Sequence, residues 1–123
     1  MLRADQYARS LVQDHFHLDA RSDGSADVLV LHGELDLASS GELAQELERL
    51  IEEKGTSVIV DLRDLEFMDS TGLSVLIKAH QRAQEAGCRL SLVKGPPQIQ
   101  RLLSLTGVAE RVELADSVDQ LLS

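Results

Sequence analysis

Two hydrophobic periods alternate along the chain. From His15 to Ala20, Phe16 and Leu18 stand on one side and His15, His17 and Asp19 on the other, a period of two that predicts a half-buried strand. Arg21 to Asp27, with Asp23-Gly24, has turn composition. Val28 to Leu31 is a fuller apolar run, so a hairpin is expected, its first strand nearer the sheet edge. Gly33-Glu34-Leu35-Asp36 leads out of the second strand, and Ser39 and Ser40 offer helix N-caps. Leu43, Leu47, Leu50 and Ile51 then recur at helical spacing among Glu and Gln, with Lys54-Gly55 as the expected stop.

The stretch from Val58 to Ile77 organises the rest. Val58 to Leu62 is a short β-branched run, read as a buried strand that reaches its predecessor by a right-handed crossover. R-D-L-E-F-M follows as a loop, then Asp69, Ser70 and Thr71, all N-cap types. Leu73, Leu76, Ile77, His80 and Ala83 define the inner face of a second helix that Gly87 closes. Leu90, Leu92 and Val93 mark a further strand. Gly95-Pro96-Pro97 breaks the chain and starts a third helix lined by Ile99, Leu102, Leu103 and Thr106 and ended by Gly107. Arg111 to Leu114 is expected as a last edge strand, and Asp116 or Ser117 as the cap of a short helix through Val118, Leu121 and Leu122. The expected fold is α/β: one domain over residues 15–123, a mixed sheet of four to five strands with helices mostly on one face. Residues 1–14, where Tyr7, Leu11 and Val12 make only a thin apolar face, are expected to be an arm or short helix.

Composition narrows the function. The 123 residues carry a net charge of −9 and only 2% aromatics, so neither a phosphate backbone nor stacked bases find a suitable surface, and no direct nucleic-acid partner is expected. Cys88 is the only cysteine, which fits a reducing, cytoplasmic setting. The first ten residues lack a signal-peptide core, and no apolar run reaches membrane-spanning length.

Catalytic patterns are missing. There is no G-x-x-x-x-G-K-[ST] loop, no G-x-G-x-x-G turn and no G-x-S-x-G elbow. His15 and His17 make a poor metal pair, His80 reads as a core or boundary histidine, and Cys88 as a small buried hydrophobe. Asp36, Asp61 and Lys94 do not fall in the order of a receiver-type phospho-aspartate site. No enzyme, metal or cofactor is expected. D-S-T-G at a helix start, taken alone, describes a plain cap.

Three motifs change that reading. G-E-L-D at 33–36, L-R-D-L-E-F-M-D-S-T-G-L at 62–73 and P-x-x-x-R-L-L-x-L-T-G-V at 97–108 together resemble the STAS-domain anti-sigma-factor antagonists, over about residues 14–122. The resemblance implies partner switching. Unphosphorylated, such a protein binds an anti-sigma factor that is also a serine kinase; phosphorylation, here falling on Ser70, breaks the complex, and a PP2C-type phosphatase resets it. It implies partner contacts at Asp36, Asp69, Ser70, Thr71 and Gly72, with a monomer as the assembly considered. Gly72 has a packing reading, letting a docking surface approach the helix closely. Met68 and Leu73 are either apolar contacts beside Ser70 or core. Asp36 also has a plain reading, as a carboxylate receiving backbone N–H groups at the next helix start. The arm at 1–14 is longer than the family usually carries. The alternative is a STAS module that binds a nucleotide or lipid, or serves a transport or signalling complex.

Overall fold

A computed structural model describes residues 15–24, 26–53 and 57–122. In chain order these form β1 (Phe16–Asp23), β2 (Ala26–Leu35), α1 (Ser40–Glu52), β3 (Ser57–Met68), α2 (Ser70–Ala86), β4 (Arg89–Val93), α3 (Pro97–Leu105), a 3-10 turn (Val108–Glu110), β5 (Glu113–Ala115) and α4 (Val118–Leu122). The expected arm at 1–14 and the expected stop at Lys54-Gly55 lie outside the described residues.

The sheet runs β1-β2-β3-β4-β5, with β1 antiparallel to β2 and the other neighbours parallel. It is therefore mixed, as its apolar runs predict. Leu29, Leu31, Leu35, Val58, Val60, Leu62, Leu90 and Leu92 turn to one face, where Leu43 and Leu47 of α1, Leu73 and Leu76 of α2 and Ile99 and Leu103 of α3 meet them. The other face carries Ala26, Val28, Ile59 and Val93, packed by Val118 and Leu121 of α4. Three helices thus share one face and the short α4 lies on the other. Among the described residues no helix is long and apolar enough to cross a membrane.

Several boundaries differ from expectation. The hairpin is longer: Arg21 to Asp23 and Ala26-Asp27 pair in register rather than turning, which leaves the turn at Gly24. Residues 33–35 stay within β2. The expected loop 63–68 is instead the second half of β3, paired with His32 to Leu35 across two register shifts. The added residues break the period of two, so Leu62, Leu65 and Met68 all reach the core while Arg63, Asp64, Glu66 and Phe67 do not. A spacing of three inside a strand cannot be told from a loop by alternation alone. On α2 the fully covered positions are Gly72, Leu73, Leu76, Ala79 and Ala83, with Ile77 and His80 only half-buried. Thr106 is not on the inner face of α3; it is exposed and its hydroxyl donates back to the Leu102 carbonyl at 2.7 Å. The last strand begins later than expected, at Glu113, because the Arg111 and Val112 N–H groups bond back to the Val108 carbonyl of the 3-10 turn. Ser117 caps α4, its hydroxyl accepting from the Gln120 N–H at 3.3 Å.

Candidate functional site

The corner between β3 and α2 is built by a change of backbone direction at Asp69. Met68 is buried at the end of the strand, Asp69 is extended, and Ser70 is the first helical residue. An Asp69 carboxylate oxygen accepts from the Gly72 N–H at 3.0 Å and so satisfies one of the free donors of the helix start. Thr71, the other expected cap, does not take that part and is half-buried. The Ser70 side chain is exposed and engages no hydrogen bond among the described residues. Ser74, one turn on, is exposed as well. Met68 and Leu73 are core. The exposed apolar groups of this region are Phe67 and Leu37, which the sequence reading did not single out. A pattern breaking to buried Leu65 and Met68 around Phe67 was the available signal.

Leu35 joins this corner to the turn after β2. It stands opposite Met68 in the sheet, and its carbonyl accepts from the Asp69 N–H at 3.1 Å. A Cβ on Gly72 would come within 2.6 Å of the Leu35 side chain and 2.9 Å of its carbonyl oxygen. The close approach that this glycine permits is therefore internal: α2 rests on β2, and Gly72 is covered rather than turned to a docking partner. One residue past Leu35, an Asp36 carboxylate oxygen accepts from the N–H groups of Ala38 at 3.0 Å and Ser39 at 3.3 Å. The His15 ring reaches the same oxygen at 3.2 Å. His15 is held there by Gly33, whose φ of +87° and contact with the His15 carbonyl, 2.0 Å from where a Cβ would stand, exclude any side chain.

A STAS domain model matches residues 17–121. The chain belongs to the STAS domain family. Relatives include an anti-sigma-B factor antagonist of Bacillus subtilis (strain 168), 26% identical over 101 residues that cover 82% of this chain and 92% of the relative. An anti-sigma F factor antagonist of Paenibacillus polymyxa is 25% identical over 91 residues, 73% of this chain and 78% of that protein. Among solved structures, an anti-sigma factor antagonist from Mycobacterium paratuberculosis superposes with a TM-score of 0.81 at 22% identity, covering 89% of this chain and 92% of that one. The phosphorylated form of the Bacillus cell fate determinant SpoIIAA gives 0.67 at 20% identity, covering 87% and 96%. These structural likenesses carry the fold.

In this STAS domain the site is acidic. Glu34, Asp36, Asp64, Glu66 and Asp69 lie in two short segments, 34–36 and 64–69, that contain no lysine or arginine. Burial opposes charge on the Asp36 carboxyl, but the His15 ring, the Ala38 N–H and the Ser39 hydroxyl outweigh it and hold its pKa below the ordinary aspartate value. Other candidate residues are engaged elsewhere. His15, one residue before β1, meets Asp36, while His17 bonds Asp19 at 2.8 Å and lies beside the His32 ring. Buried Asp61 is clamped by the Arg63 guanidinium at 2.7 Å. Cys88 is buried, and burial raises its thiol pKa. Among the described residues no group of three or more His, Cys, Asp or Glu side chains is arranged to hold a metal ion.

Proposed function

We propose that this STAS domain is an anti-sigma-factor antagonist that works by partner switching in the cytoplasm. Unphosphorylated, it binds a cognate anti-sigma serine kinase and so frees a sigma factor. Phosphorylated on Ser70, it lets the kinase go, and a PP2C-type phosphatase restores it. It acts on transcription through proteins, with no enzyme chemistry of its own and no direct contact with nucleic acid. The observation that carries this reading is the Ser70 hydroxyl, exposed at the first residue of α2 and unengaged among the described residues. The names of the matched relatives support it. Asp36, Asp69 and Thr71 are the neighbours through which the partner reads the state of Ser70; Gly72 sets their spacing from within.

The physics favours a switch that leaves the fold intact. A phosphate adds about −1.5 to −2 charges at neutral pH. Beside the Asp69 carboxylate, at about 6 Å and an effective dielectric of 20 to 80, each unit pair repels by roughly 0.7–3 kcal/mol. The helix N-terminus returns about 0.3–2 kcal/mol and offers free N–H groups. These effects nearly offset. The penalty falls on docking. The segments 34–36 and 64–73 that form this corner contain no lysine or arginine to neutralise a buried dianion, which costs several kcal/mol. A kinase must also bring its nucleotide phosphates to the Ser70 oxygen, so like charges face each other there once transfer is complete. A loss of about 3–4 kcal/mol is two to three decades of affinity.

The deciding experiment is a pull-down of partners by wild type and Ser70→Asp, followed by phosphopeptide mapping after incubation with the captured kinase. The expected result is one ATP-binding protein lost from the Ser70→Asp sample and label confined to Ser70. Label on Thr71 or Ser74, or equal capture by both forms, would overturn the assignment. Ser70→Ala is expected to bind and to refuse phosphate.

A further inference from the structure

We infer that the docking surface extends beyond the phosphoacceptor over Phe67 and Leu37, and that its occupant is a protein face with an apolar recess rimmed by lysine and arginine. On the function proposed above, that face belongs to the anti-sigma factor. Four large hydrophobic side chains are notably exposed among the described residues, and Leu37 (77%) and Phe67 (48%) are two of them. Leu37 follows Asp36, and Phe67 lies three residues before Ser70, so neither is remote from the site. Three residues of chain span at most about 10 Å. The chain has two phenylalanines; Phe16 is buried at 4%, and Phe67 alone is displayed. Aromatic side chains in water are costly to leave bare and are the groups that interface centres favour.

Charge identifies the occupant. Phe67 stands opposite Glu34 in the sheet and follows Glu66, and neither carboxylate has an ion-pair partner among the described residues. Asp64 lies 3.6 Å from the His32 ring and feels the Arg63 charge from a distance, and Asp69 accepts from the helix N-terminus. A second copy of this chain would set these carboxylates against their own images across a two-fold axis. Anionic lipid or nucleic acid would meet the same repulsion. A basic rim around an apolar recess answers both features and would steer encounter from a distance. The two fields act at different places: the carboxylates beside Phe67 draw the partner in, while at Ser70 added phosphate confronts the partner's bound nucleotide.

The test places a photo-cross-linking p-benzoylphenylalanine at position 67, 37 or 105 of the full chain, in extract of the source cells. Leu105 is the control, since it is 75% exposed at the far end of α3. One protein, identified by mass spectrometry, is expected from positions 67 and 37 and not from 105. That protein, purified, is then titrated with Phe67→Ala, Glu34→Lys/Glu66→Lys and Leu105→Ala. Phe67→Ala is expected to weaken binding at least tenfold. The charge reversal is expected to slow association at least tenfold and to remove most of its salt dependence, and Leu105→Ala to stay within twofold. All four substituted positions are exposed, so matching heat-denaturation midpoints are expected for the variants. Cross-linking from 105 as readily as from 67, none from 67, or a charge reversal without effect would overturn the surface. If the captured protein neither binds ATP nor phosphorylates Ser70, the kinase reading fails while the surface stands.

Discussion

Two helix starts in this domain use the same residue types to opposite ends. At α1, Asp36 is followed by Ser39 and Ser40; at α2, Asp69 is followed by Ser70 and Thr71. Asp36 accepts the Ala38 and Ser39 N–H groups in the turn that leads into α1, and Asp69 accepts the Gly72 N–H in the first turn of α2. The serines differ. Ser39 is fully buried, donating to the Glu34 carbonyl at 3.0 Å and accepting from the Asp36 N–H at 3.0 Å. Ser40 is also buried, its hydroxyl 3.4 Å from the Leu37 carbonyl. Ser70 is exposed and bonded to nothing described. A hydroxyl held by two backbone groups is structural material. One standing free over a helix N-terminus is open to a second protein. The difference arises because α1 is reached through a turn that folds back on β2, whereas α2 follows β3 with a single intervening residue.

The comparison can be broken from below by disturbing what both starts rest on. Gly33→Ala forces a Cβ onto the His15 backbone at positive φ, and a loss of about 2–4 kcal/mol in urea unfolding is expected. Gly72→Ala presses on Leu35 and should cost about 1–3 kcal/mol; binding should fall with it, since the Asp36 turn and the Ser70 corner are separated. An unfolding midpoint unchanged by Gly72→Ala would refute the coupling through Leu35.

The serines themselves give the sharper contrast. Ser39→Ala leaves the Glu34 carbonyl and the Asp36 N–H without their partner, for an expected loss of about 1–3 kcal/mol. Ser70→Ala should stay within about 0.5 kcal/mol of wild type. Equal losses would erase the distinction between them. Phosphorylation of Ser70 should likewise leave the heat-denaturation midpoint in place; a drop of about ten degrees, which for a domain of this size is more than 1 kcal/mol, would contradict the intact fold. Between the two serines lies Asp69→Ala, expected to cost about 1 kcal/mol as a lost cap.

The smallest effect is a pH dependence on the α1 side. The Asp36 pKa is depressed in the folded protein, so the unfolded chain takes up this proton first as pH falls. The stabilisation is complete above the ordinary aspartate value of about 3.9 and is lost as pH falls through the folded value. The stability gap between wild type and Asp36→Asn should therefore narrow below that pH. A gap that widened on acidification would reverse the sign of the argument.

Much of this was legible in the chain. The period of two in β1, the apolar runs of β2 to β4 and the helical spacing of α1 to α3 were readable because each face meets one environment along its length. The second half of β3 was not. Its register shifts bring Leu62, Leu65 and Met68 to the core at a spacing that belongs to no regular strand. Gly72 was placed at the site but on its wrong side, and His15 was paired with His17 rather than with Asp36.

The sequence by itself determined the α/β order, the apolar faces and the two acidic helix starts, because periodicity and capping depend on neighbours within a few residues. It also placed a serine at the head of α2. Only the tertiary structure decided which hydroxyls were sealed and which were left open, that Leu35 ties the two motifs together, and that Phe67 faces outward. Those outcomes depend on which residues from distant segments arrive to cover a given atom, and spacing along the chain carries no record of that.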